Sequence, residues 1–140
     1  LDDITVLLGG RAAEQLAFGE ITTGAHNDLE RATALARAMV MDFGMSDTLG
    51  PRVLGKRHSQ VFLGRDIMED RDYSEETAKR IDDEVHNIVE RCYERAKEIL
   101  HKYHAQAQEI VTVLREKESL TSEEVQAILY RDTPQEAIAV

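Results

Sequence analysis

The chain has 140 residues, 42% of them apolar, and this suits one domain with enough length to bury a real core. It carries 17 Lys plus Arg against 27 Asp plus Glu, a formal charge of −10. That surface repels phosphate backbones and anionic membrane faces, and so argues against nucleic acid as a partner. The single cysteine, Cys92, rules out an internal disulfide framework and a cysteine-only metal site.

The first predicted helix covers about 1–18, where Leu1, Ile4, Leu7, Leu8, Ala12 and Leu16 make one apolar face. Gly9-Gly10 in its middle costs about 1 kcal/mol per glycine against alanine. Either a neighbouring helix packs closely there, or another backbone or a ligand approaches. The opening Leu1-Asp2-Asp3-Ile4 reads as the inside of a helix and the first residue is not Met, so the chain is expected to continue upstream. Gly19 ends the helix, and the turn-rich stretch 20–26 follows.

A second helix is expected over 27–43, with Asn27 and Glu30 as a capping box and Gly44 as its C-cap residue. From Met45 to Tyr73 the helical period breaks. Val53-Leu54 and Val61-Phe62-Leu63 flank a polar run, and a small β-hairpin is the natural reading. The stretch is long for a passive connection, which points to a functional loop or an interface. Ser74 then caps the longest helix, 74–103, whose apolar stripe runs from Ile81 to Tyr103 at a period near 3.6. Cys92 lies on that stripe and reads as core packing. Two shorter helices follow, at 105–117 and 122–130, the latter opened by a Thr121/Glu124 capping box. Residues 131–140 read as a loose tail. The expected fold is all-α, a helical bundle with a small β-hairpin insertion.

Few residues form an evident site. The five histidines make no His-Glu-x-x-His motif, and His101 with His104 reads as a solvated pair at a helix end. No Ser/His/Asp or Cys/His nucleophile and no glycine-rich phosphate loop is assembled. Asp28 sits in the first turn of the second helix, where simple capping electrostatics explains it. On spacing alone, Glu14 is a surface acid.

Ordered matches alter that picture. Leu7 to Glu14 (LLGGRAAE), Phe18-Gly19-Glu20, and Thr22 to Thr33 (TTGAHNDLERAT) resemble the peptidase domain of FtsH-type ATP-dependent zinc metalloproteases. Gly44 to Pro51 (GMSDTLGP), Val61 to Asp66 (VFLGRD), Tyr73 to Thr77 (YSEET) and Tyr93 to Leu100 (YERAKEIL) agree in the same order. The resemblance covers nearly the whole chain, assigning 1–130 to the downstream part of a zinc peptidase domain.

It implies a membrane-anchored homo-hexamer in which an ATPase module unfolds protein substrates and feeds them to a zinc peptidase ring. It implies Zn2+ and ATP as cofactors, and a bacterial inner membrane with the peptidase domain in the cytoplasm. It maps the family's third zinc ligand, an acid, onto Asp28. Glu14 and Asn27 would stand behind the ligands, Glu14 orienting a histidine. The family's His-Glu-x-x-His, which supplies two ligands and the general base, has no counterpart here. With one ligand of three, neither tight zinc binding nor hydrolysis is expected of this chain alone. A helical oligomerisation module, a degenerate family member and a plain protein-binding bundle are the competing readings.

Overall fold

A computed structural model describes residues 1–55 and 73–131. Its elements are α1 (Asp2–Phe18), a single 3-10 turn (Thr23–Ala25), α2 (His26–Met41), α3 (Glu75–Lys102), α4 (His104–Lys117) and α5 (Ser122–Leu129). No strand occurs among the described residues. The fold is all-α, and the five helices lie close to their expected spans. The contacts divide the chain into two units, Leu1–Lys97 and Glu98–Val140.

The first unit is built on apolar burial. Ile4, Leu8 and Ala12 point inward from α1, and Ala32, Ala36 and Val40 from α2. Both triplets repeat every four residues, which keeps each on one helical face. The alanines leave little side chain between the backbones, so α1 and α2 pack directly against each other. Ile81, Val85, Ile88 and Cys92 of α3 join the same core. Tyr93 of α3 donates to Gln15 of α1 at 2.5 Å, and its ring lies beneath Arg11 and Lys97. Cys92 is buried, as core packing requires.

Helix ends follow the expected chemistry in most places. Gly19 closes α1 at φ 70°, a left-handed conformation that glycine enters without penalty. The Ser74 hydroxyl accepts from the Thr77 amide at 3.2 Å. Thr121 and Glu124 form a complete capping box at α5.

Four expectations are corrected. Asn27 does not cap α2: the helix starts at His26 and its N-cap position, Ala25, makes no side-chain cap bond. The chain is already wound as a 3-10 turn from Thr23, which places Asn27 inside the first helical turn. Helix α2 also ends at Met41, so Gly44 lies beyond the cap. It adopts φ 61° where the chain doubles back, and a Cβ there would stand 2.9 Å from the Arg52 amide nitrogen. Gly9 and Gly10 are not needed for packing among the described residues, since a Cβ on either meets nothing within 4 Å. Finally, Val53-Leu54 is not a strand. Leu54 is buried and its amide donates to Met41 at 2.8 Å, satisfying a carbonyl that α2 leaves open at its end. The second arm of the expected hairpin, Val61-Phe62-Leu63, lies outside the described residues, as does 132–140.

The turn after Gly44 is fastened to α3 by polar contacts. Buried Ser46 donates to Glu84 at 2.8 Å and accepts from the Leu49 amide, while Thr48 donates to the other Glu84 oxygen at 2.9 Å. The second unit is different. Helix α4 has no buried residue and α5 has only Ile128, and the two pack as a helical hairpin. Lys117 bonds Glu124 at 2.7 Å and Arg131 bonds Glu109 at 2.5 Å.

Candidate metal-ligand site

The site is assembled where α1 hands over to α2. Glu14 is half-buried near the end of α1. After Gly19 reverses the chain, Thr22 returns to meet it. The Thr22 hydroxyl lies 3.0 and 3.1 Å from the two Glu14 carboxylate oxygens, and the Thr22 amide donates to Oε2 at 3.3 Å. That hydroxyl also accepts from the Gly24 amide at 3.1 Å, capping the 3-10 turn. Ala25 then buries its methyl group and α2 begins.

Asp28 falls in the first turn of α2 and is half-buried. The positive end of the helix favours its negative charge by roughly 0.3–1 kcal/mol. Among the described residues its one polar partner is Arg31, at 3.9 Å, and the Arg31 side chain is 67% exposed against 46% for Asp28. A pair that open contributes little, so the carboxylate is free to take another partner. His26 and Asn27 are exposed beside it.

A carboxylate of this kind suits zinc as one oxygen ligand. The described residues go no further: among them no three His, Cys, Asp or Glu side chains come together as a metal-binding group. Glu14 spends its hydrogen-bonding on Thr22, a residue that spacing did not single out. The signal was present, since a threonine two residues ahead of a glycine amide is a common turn cap. Its long-range partner could not be read from the sequence.

No helix among the described residues is long and apolar enough to cross a membrane. Residues 1–128 match the model of peptidase family M41. The chain is 55% identical to the ATP-dependent zinc metalloprotease FtsH of Pseudothermotoga lettingae over 99% of its own length and 22% of that protein's. It is 55% identical to the FtsH of Thermotoga maritima, over 92% of this chain and 21% of the relative. To the FtsH of Bacillus subtilis it is 46% identical, over 95% and 21%. The chain thus spans about a fifth of the length of the curated relatives it matches. A match that runs through residue 128 shows the family, and the chain belongs to peptidase family M41.

Proposed function

We propose that residues 1–130 form the downstream part of the peptidase domain of an ATP-dependent zinc metalloendopeptidase, with 131–140 as a tail, and that Asp28 is a zinc ligand. The observation that carries this reading is the Asp28 carboxylate itself. It sits at a helix start, half-buried, inside the matched region, and among the described residues it has only an open contact to Arg31. Asp28 would supply one carboxylate to the zinc, which when bound would lower the pKa of a bound water and polarise a peptide carbonyl. The remaining ligands and the general base would come from a His-Glu-x-x-His segment, which this chain lacks. Glu14 and Asn27 would support the ligands without touching the metal.

In the whole protease the substrates would be unfolded and membrane proteins. ATP would act through a separate module, and the assembly would be a homo-hexamer. Anchoring, at a bacterial inner membrane with the peptidase on the cytoplasmic side, would come from segments outside this chain. A structural reading has its own support: Val6, Phe18 and Phe43 are 77%, 75% and 62% exposed, large apolar groups that an assembly would cover.

The test compares this chain with a version extended upstream through His-Glu-x-x-His, each with and without Asp28→Ala. The extended protein should bind zinc and cut unfolded substrate, this chain alone should do neither, and Asp28→Ala should abolish both in the extended protein. An inert extended protein would favour the degenerate or scaffold reading, and an Asp28→Ala variant that loses nothing would remove Asp28 from the ligand set.

A further inference from the structure

We infer that Thr22, held by Glu14, is a positioning residue that sets where α2 begins and thereby where the Asp28 carboxylate stands; this rests on Asp28 being a metal ligand. Helix α2 does not fix its own start, because its N-cap, Ala25, has no side-chain bond to the helix amides. The start must be imposed by what precedes it. Between Gly19 and α2, the side-chain hydrogen bonds among the described residues all run through Thr22.

The Thr22 hydroxyl works in both directions. It donates to the Glu14 carboxylate on α1 and accepts from the Gly24 amide, so one side chain joins the end of α1 to the first turn leading into α2. Gly24 is part of the fit: a Cβ there would lie 3.3 Å from the Thr22 hydroxyl and 3.5 Å from Glu14 Oε1, crowding the contact. The 3-10 turn Thr23–Ala25 and the first turn of α2 then carry this registration to Asp28. Thr22 is exposed and is no part of the buried core. Its contribution is therefore to the placement of the ligand more than to the stability of the core. Residues that hold a metal ligand in place typically change metal affinity by ~10- to 100-fold when removed.

The experiment uses Thr22→Val, which loses both hydroxyl bonds at nearly constant shape, and Thr22→Ser, which keeps them. Zinc affinity is measured by chelator competition in the extended protein, with Asp28→Ala alongside. Amide exchange at Gly24 is measured without metal in the chain described here, together with its melting temperature. Thr22→Val should weaken zinc binding about tenfold. It should also speed Gly24 exchange and lower the melting temperature by no more than the loss of one helix cap does, with Thr22→Ser restoring affinity and protection. Abolished binding in Asp28→Ala beside unchanged binding in Thr22→Val would overturn the positioning role and leave the ligand assignment standing. Equal losses in Thr22→Val and Thr22→Ser would also overturn it, because serine retains the hydroxyl. Unchanged binding in Asp28→Ala would overturn the ligand assignment and the positioning role together.

Discussion

The two units of this chain are held by different forces. In Leu1–Lys97, three helices contribute side chains that are almost wholly removed from water, including Ile4, Leu8, Val40 and Ile81. Each such side chain contributes about 1.5–3 kcal/mol by burial. In Glu98–Val140, α4 buries nothing fully and α5 buries one isoleucine, so ion pairs and a capping box carry a larger share of the order. Exposed ion pairs are individually weak, with a median of about 0–1 kcal/mol. The lesson is that helices alone do not guarantee cohesion. The candidate ligand Asp28 sits on the unit with the apolar core, as a site that must hold its geometry requires.

The contrast can be broken most sharply in the first unit. Ile81→Ala removes a side chain that is 1% exposed and should cost about 2–5 kcal/mol, read as a lowered denaturant midpoint for α1–α3. A loss under about 1 kcal/mol would mean that the first unit is no better packed than the second. Smaller is Thr121→Ala, which removes the hydroxyl accepting from the Glu124 amide at 3.3 Å and should cost about 1 kcal/mol. Amide exchange should localise that loss to α4 and α5; a spread into α1–α3 would show that the units unfold together.

The smallest effect is a response to acid. Lys117, and then the Thr121 amide, hold the Glu124 carboxyl below its ordinary value of 4.5. The Glu123 carboxyl is also lowered, by its own backbone N–H and then by the Thr121 hydroxyl. For a carboxyl lowered by folding, the stabilisation is complete above the unfolded-state value and is lost as pH falls through the folded-state value. Protection of α5 amides should therefore decline as pH drops below the ordinary carboxylate range, with α1–α3 retaining theirs at the onset. Loss of both units at the same pH would erase the distinction.

Much of the architecture was legible in the residues. The period of Ile81, Val85, Ile88 and Cys92 marks α3, and all four are buried. The pair Thr121 and Glu124 predicts a capping box that is present in full. Asn27 and Glu30 have the same pattern and form none, because the helix had already begun upstream. A capping motif states which bonds are available locally, and neighbouring turns decide whether the backbone amides are still open.

By itself, then, the sequence determined the helices, their apolar faces and the family, since these depend on local periodicity and on ordered residue identity. The tertiary structure decided the rest: that Glu14 faces Thr22, that Glu84 fastens Ser46 and Thr48, and that Gly44 is a tight reversal and not a helix cap. The Glu14 and Glu84 contacts join residues 8, 36 and 38 positions apart. Partners so distant meet only after the core has set the helices side by side, and no local pattern encodes which carboxylate a hydroxyl will find.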